Sequence, residues 1–461
     1  MSYGRIEFDP QWVAKYDHPG PRYTSYPTAP NFYDLTPKVA EEIYRASNLT
    51  ASPLSFYIHL PYCKSVCYFC ACNVIYTKDR ERGTRYVDLI LKEIDLLHPL
   101  ISPSRPLVQV HLGGGTPTFL YPRDLDRLLE SLFQRYPPAS DAEISVELDP
   151  RETTPSHLEV LMKHGFNRIS IGVQDTNPLV QRAINRLQPM ELTRTIVENL
   201  RASGRIQSIN FDLIYGLPYQ TQETFLDTLQ AVCAIRPDRI ALFNFGYVPW
   251  AKPHQRRIET RAMPEPREKL AILSLAVEYL QAQGYCYIGM DHFALPGDEL
   301  LSAQKNRTLH RNFQGYTTRK GCDLIGIGIT SIGEVLGNYL QNLKEEKEYQ
   351  NRIEAGILPV SRGFILSFED HLRKAVIMEL MCHYQVLFSE IEERFGIPFR
   401  SYFAREIASL KPFVEDDLVE VTEDAIEIKP MGRFVIRNIA MVFDAYLREN
   451  MLSRPIFSRT V

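Results

Sequence analysis

HLPYCKSVCYFCACN, residues 59–73, places Cys63, Cys67, Cys70 and Cys72 in one short run at C-x3-C-x2-C-x-C spacing. Three thiolates drawn from one tight loop can hold three irons of a cubic four-iron cluster and leave the fourth iron open. An open iron can bind and reduce a ligand, whereas a fully ligated cluster mainly carries electrons. Structural zinc usually takes four ligands from two separated knuckles, and no second knuckle follows this loop. Disulfides need an oxidising compartment, and nothing in the sequence points to one. Cys233, Cys286, Cys322 and Cys382 stand singly and read as small core residues. Spacing alone leaves open which of the four loop cysteines is not a ligand.

Working outward from the loop, SFYIHL (55–60) reads as a strand and RYVDLILKEIDLL (85–97) as a helix. LVQVHLGGG (107–115), AEISVEL (142–148), RISIGVQ (168–174), SINFDLIYGLP (208–218) and RIALFNFGYVP (239–249) continue the strands, with amphipathic stretches between them. Six strands alternating with helices predict a parallel sheet with crossover helices. Runs this apolar predict cover on both faces, and pattern alone does not separate a barrel from an open sheet. A polar residue or glycine ends every strand: His59, Gly113 to Thr116, Glu147, Gln174, Asp212 and Gly246. In a parallel barrel those ends share one mouth, where chemistry is placed.

This reading divides the chain into four parts. Residues 1–50, with GPRYTSYPTAPNF, form a polar lid or extension of irregular chain. Residues 51–300 form the (β/α) domain. Residues 301–361, rich in Gly, Arg and aromatics, are expected as a connecting cap over the site, and residues 362–461 as a mainly helical domain with a hairpin in VEVTEDAIEIKP. The net charge of −4 gives no global basic field, so nucleic acid is not an expected partner. The opening MSYGRIEFDPQWVAKY has no apolar core for a signal peptide, and no apolar run approaches a membrane span. These features predict a cytoplasmic location.

HLGGGTPTFL sets three glycines directly after a strand, where backbone can approach a ligand closely. It is neither a P-loop, since no G-K-[ST] follows, nor a G-x-G-x-x-G fingerprint. Glu147 in VELDPRE can accept from ribose hydroxyls or an ammonium group, with Gln174, Arg186 and Asp212 extending the polar rim. Each alone is more often a satisfied strand-end residue. Arg22, Arg307, His310 and Arg311, interleaved with Tyr23, Tyr26, Phe313 and Tyr316, suit a flat ligand with acidic arms. Asp291 and His292 read either as a proton relay or as a buried pair.

Phe69 before Cys70 completes the CxxxCxΦC signature of the radical S-adenosylmethionine (SAM) superfamily. Together GPRYTSYPTA, CKSVCYFCACN, HLGGGTPT, ELDPRE, GVQD, FDLIYGLP, GMDHFALP and HRNFQGYTT resemble the oxygen-independent coproporphyrinogen III oxidase family, essentially end to end. The resemblance implies an α/β fold built on a partial (β/α)6 barrel. It implies conversion of two propionates of coproporphyrinogen III to vinyl groups, giving protoporphyrinogen IX. By this resemblance Cys63, Cys67 and Cys70 hold a 4Fe-4S cluster and Cys72 is free. Tyr57, Gly114, Glu147 and Gly246 match one SAM site. Phe69, Gly115, Thr116, Gln174, Arg186, Asp212 and Ile332 match a second SAM molecule beside the first. A 5′-deoxyadenosyl radical takes a propionate β-hydrogen, and loss of carbon dioxide and one electron leaves the vinyl group. A low-potential electron donor and a monomeric state are further implications.

The chain departs from the family pattern in CACN for CGCN, in Gly246 where Ala is expected, and in GITSIGEVLGNY (328–339). The last puts Gly333 and Glu334 where a Ser and an apolar residue are expected, and Glu334 is an awkward neighbour for a tetracarboxylate. Two other readings remain: another haem- or porphyrin-modifying radical SAM enzyme, and a non-catalytic haem or iron–sulfur carrier.

Overall fold

Six parallel strands follow the expected alternation in the computed structural model, which describes residues 6–450. They are β1 (Leu54–Leu60), β2 (Leu107–Gly114), β3 (Pro138–Leu148), β4 (Arg168–Gln174), β5 (Ser208–Tyr215) and β6 (Arg239–Asn244), each paired with the next in chain order. Residues 1–5 of the expected extension and 451–461 of the expected C-terminal domain lie outside the described residues. The crossover helices are α1 (Glu81–Leu97), α2 (Pro122–Arg135), α3 (Pro155–Lys163), α4 (Met190–Ala202) and α5 (Gln222–Ile235). In α2, Pro122 starts the helix and Leu125, Leu128, Leu129 and Leu132 recur at helical spacing and are fully buried. Each such leucine contributes about 1.5–3 kcal/mol.

The strands are not apolar on both faces. In β5, Phe211, Leu213 and Tyr215 alternate with Asn210 and Asp212, and in β3 Ile144, Val146 and Leu148 alternate with Glu143, Ser145 and Glu147. The apolar set belongs to the core packed with the helices, while Ser55, Gln109, His111, Ser145, Ser170 and Asn210 line a polar interior cavity. This alternation is what a ligand-lined barrel needs and a doubly wound sheet does not.

The barrel is partial. Beyond β6 the sheet turns antiparallel through His292–Ala294 and Cys286–Gly289, and its other end runs from β1 through Asp323–Ile327, Ile332–Val335, Asn338–Asn342, Val360–Phe364 and Tyr33–Asp34. Asp323–Ile327 is a seventh parallel strand. Much of 301–361 is therefore sheet. The two ends of the segment before that strand lie against the starts of the barrel strands, the end away from the cysteines: Asp298 and Glu299 pair with Arg239, Glu299 also with Arg168, and Arg319 with Asp141.

The chain beyond residue 362 is mainly helical, led by α6 (Phe368–His383), with a three-stranded sheet that includes the expected hairpin as Val419–Val421 and Ala425–Ile428. Tyr16, Tyr23 and Tyr26 are buried in its core, and the Tyr23 hydroxyl donates to Asp444 at 2.9 Å. No helix among the described residues is long and apolar enough to cross a membrane.

Candidate active site at the cysteine loop

The cysteine loop leaves the end of β1 and is pinned by side chains from distant segments. Tyr62–Cys63 pairs with Ile75–Tyr76 and closes its two ends. The turn makes few backbone bonds of its own, so its carbonyls need other donors. Asn185 Nδ2 donates to Val66 O (2.7 Å), Gln255 Nε2 to Phe69 O (3.1 Å), His254 Nε2 to Cys70 O (2.7 Å) and Lys252 Nζ to Cys72 O (2.8 Å).

The glycine run packs against the root of this loop. Gly115 N–H donates to Leu60 O (2.8 Å) and Thr116 N–H to Tyr62 O (2.9 Å). A Cβ on Gly115 would lie 2.7 Å from the Pro61 carbonyl carbon, and Gly114 has φ +109° with the His59 ring 2.5 Å from its Cβ position. Part of the close approach expected toward a ligand is thus made to the protein's own backbone. It brings Thr116 Oγ1 to 3.4 Å from Cys63 Sγ.

A cavity of about 170 Å3 opens at this junction. It is lined by Cys63, Cys67, Cys70, Cys72, Phe69, Gly114, Gly115, Thr116, Glu147, Gln174, Arg186 and Asp212, joined by Asp149, Arg151 and Gly172 among others. Three of the residues matched by resemblance, Tyr57, Gly246 and Ile332, are not among its lining. Tyr57 stacks on His111 at 5.8 Å between ring centres and donates to His59 Nδ1 at 2.9 Å. His59 donates from Nε2 to Asn73 O, so it is the Nε2–H tautomer, and burial lowers its pKa. Gly246 O accepts from Gln255, and Ile332 packs beside the Phe32–Tyr339–Leu366 cluster.

The charges in the cavity wall are arranged around Cys67. Asp149 is buried and accepts from Arg151 Nη2 (2.6 Å) and Arg186 Nη1 (3.1 Å), and the same two guanidiniums donate to Cys67 Sγ at 3.3 and 3.6 Å. Burial pushes the Asp149 carboxyl up, but Arg186 and Arg151 outweigh it and hold the pKa at about 2. Burial also opposes ionisation of Glu147, yet bonds from His111 (3.3 Å) and Gly114 N–H (3.2 Å) keep its carboxyl below the ordinary value. Asp212 goes the other way: burial, then the charge on Glu147, raise it to about 7.

Asp149 and Arg151 were not singled out from the sequence, although both sit in the ELDPRE motif two and four residues after Glu147. Of the expected carboxylate binders, Arg22 pairs with Asp291, and Arg307 pairs with Glu379 and Glu390. His292 is neutral because burial, then Arg311 and Arg22, drive its pKa far down. Glu334 is paired with Lys374 at 2.7 Å.

These residues fit an iron–sulfur cluster. Sulfur ligands must be thiolates, and N–H donors at ligand sulfur are a common tuning device. Cys67 already receives two. Burial lifts the Cys63 thiol to about 12, a state that coordination to metal would convert to thiolate. No three His, Cys, Asp or Glu side chains among the described residues converge on a single-ion site. Arg186 Nε is buried without a hydrogen-bond partner in the cavity wall, as a group awaiting a polar ligand would be.

Comparison with known proteins identifies the family of the chain. Residues 57–232 match the radical SAM superfamily, and residues 366–435 match the HemN C-terminal domain. The oxygen-independent coproporphyrinogen III oxidase of Helicobacter pylori is 47% identical over 441 residues, covering 94% of this chain and 96% of that protein. The Pseudomonas aeruginosa oxidase is 44% identical over 459 residues, 99% of each chain. The solved coproporphyrinogen III oxidase of Escherichia coli, described as a radical SAM enzyme, superposes with a TM-score of 0.91 at 41% identity, covering 96% of this chain and 100% of the other. Motifs, barrel, cavity and full-length likeness agree: the chain belongs to the oxygen-independent coproporphyrinogen III oxidase family of radical SAM proteins.

Proposed function

We propose that the protein oxidatively decarboxylates two propionate side chains of coproporphyrinogen III without oxygen, giving protoporphyrinogen IX. The observation that carries this reading is the single cavity in which the cysteine loop, the glycine run and the strand-end carboxylates meet, in a chain that aligns end to end with such oxidases.

In this reading Cys63, Cys67 and Cys70 hold a 4Fe-4S cluster, and Cys72, the most exposed of the four, does not. Held by these residues, the cluster would supply one-electron reductive chemistry toward SAM. Tyr57, Gly114, Glu147 and Gly246 attend one SAM, and Phe69, Gly115, Thr116, Gln174, Arg186, Asp212 and Ile332 a second. Glu147, ionised at neutral pH, accepts from ribose hydroxyls or the SAM ammonium. Asp212 sits near the neutral range, so it can accept or donate one hydrogen bond at the same place. Arg186, with its unpartnered Nε, orients a carboxylate or ribose oxygen. Gly114 and Gly115 line the cavity beside the cofactor and pack the root of the cysteine loop against the strand end. A low-potential donor supplies electrons, and the working form is a cytoplasmic monomer.

The test is anaerobic: reconstitute the cluster, add SAM, reductant and coproporphyrinogen III, and identify products by chromatography and mass. Protoporphyrinogen with 5′-deoxyadenosine is expected. Deoxyadenosine with no decarboxylated porphyrin would move the search to another substrate, and neither product from a cluster-loaded protein would favour the carrier. Cys70→Ser should abolish iron binding and SAM cleavage, while Cys72→Ser should leave a cluster.

A further inference from the structure

Buried guanidinium N–H groups are nearly always hydrogen-bonded, and Arg311 departs from that rule. It is 4% exposed, and its Nε and Nη1 have no hydrogen-bond partner. Its guanidinium carbon lies 4.8 Å from the Tyr316 ring centre, and the N–H groups at Nε and Nη1 are left for an acceptor. A charge held this way is costly unless something pairs with it.

Two more arginines share the region. Arg437 is 6% exposed and donates from Nε to Pro21 O at 2.9 Å and from Nη2 to Gly20 O. Arg22 keeps 33% of its side-chain exposure, pairs with Asp291 and lies 5.5 Å from the Phe243 ring centre, so the group meets solvent on its side. Phe243 packs edge-on against His292 at 6.1 Å and His292 against Tyr316, so Arg22 and Arg311 stand at the two ends of one run of rings, with Arg437 bonded to the backbone next to Arg22. Burial, then repulsion from neighbouring arginines, lowers Arg22 to about 9 and Arg437 to about 10. Asp291 pairs with Arg22, and Asp17 is a carboxylate near Arg437.

Strand register fixes where this group stands. Gly172, Asp212, Ala241 and His292 form one row across four adjacent strands. Gly172 and Asp212 line the cysteine cavity. His292 packs edge-on against Tyr316, the ring under Arg311, at 5.3 Å. Asp212 and His292 are two strand spacings apart, about 10 Å, with Phe243 on the same side of its strand as Ala241.

We infer that Arg311, with Arg22 and Arg437, is a carboxylate-binding site that seats one propionate of the tetrapyrrole while another reaches the cysteine cavity. This rests on the reaction proposed above. The macrocycle lies over Phe243, His292 and Tyr316, whose rings give its flat body an apolar and aromatic bed. The spacing then makes Arg311 a positioning residue: it sets which propionate is presented to the radical.

Binding of coproporphyrin III, the stable oxidised form, is measured by fluorescence on cluster-loaded wild type, Arg311→Gln, Arg311→Lys and Arg22→Gln, with SAM affinity measured alongside. Loss of a charged hydrogen bond predicts about 10- to 100-fold weaker porphyrin binding in Arg311→Gln, partial recovery in Arg311→Lys, and unchanged SAM affinity. Porphyrin affinity within about two-fold of wild type in both glutamine variants overturns the inference. If Arg311→Gln fails to load its cluster, Arg22→Gln, the more exposed partner, decides by the same criterion. Turnover of coproporphyrinogen III by the wild type is read separately, so a failed reaction and a failed arginine site give different results.

Discussion

Replacing Asp149 by asparagine keeps the shape of the cavity wall and removes one charge from it. The Arg186 Nη1 that lies 3.1 Å from the Asp149 carboxylate lies 3.6 Å from Cys67 Sγ, which puts that carboxylate within 7 Å of the sulfur. A unit charge at about 7 Å and an effective dielectric of about 20 is worth about 2.4 kcal/mol. For a one-electron couple, at about 59 mV per tenfold, that is about 100 mV. Losing a negative charge favours the added electron, so the cluster potential in Asp149→Asn should rise by about that amount. A redox titration followed by electron paramagnetic resonance measures it, with iron content as the check on loading. A shift under about 20 mV, or one toward negative potential, in an iron-replete variant would refute the placement of Asp149 and its arginines beside the cluster. The same carboxyl gives an acid signature. Its pKa is depressed from 3.8 to about 2, so its stabilisation is complete above pH 3.8 and lost as pH falls through about 2. Wild type and variant should therefore converge in stability at the acid end.

Three further outcomes follow from the packing. Gly115→Ala drives a Cβ to 2.7 Å from the Pro61 backbone, which should cost about 1–3 kcal/mol and lower the iron retained after reconstitution, read by denaturant midpoint and iron assay. Glu334→Leu strands Lys374, which is 11% exposed, and should destabilise by about 3 kcal/mol; adding Lys374→Met should recover most of the loss. An activity gain in Glu334→Leu without that loss would count against the ion pair's role. Burial raises Glu93 from 4.5 to about 7, so the folded protein keeps a proton that the unfolded chain has lost between those values. Stability should fall as pH rises through that window, and Glu93→Gln should flatten the slope, measured by denaturation at pH values on either side of it.

The six strands were legible because each is a local run, and the polar residues that end them could be read as a shared rim. Inward-facing polar residues such as Ser145, Ser170 and Asn210 were also in view, but their meaning depends on which face the helices cover. Asp323–Ile327 escaped because it is five residues long in a glycine-rich stretch, and its partner β1 lies more than 250 residues away in sequence. Non-local pairing of that kind leaves no periodic trace. Arg22 and Arg307 looked like free cations because sequence does not reveal Asp291, Glu379 or Glu390 beside them. Arg311 sat in the same motif as Arg307, and only its buried, unpartnered nitrogens separate the two. Glu334 reads from the sequence as an unpaired charge for the same reason, since Lys374 lies 40 residues further along the chain.

Tyr23 reaches Asp444 and Arg437 reaches Pro21, contacts 421 and 416 residues apart. A ribosome delivers the first of each pair long before the second, and chains generally fold from the N-terminal side as they emerge. The barrel and its cysteine loop can therefore form while residues 16–26 still lack the core that buries Tyr16, Tyr23 and Tyr26. A nascent chain stopped before the C-terminal core would leave Tyr16, Tyr23 and Tyr26 without the packing that buries them in the finished protein.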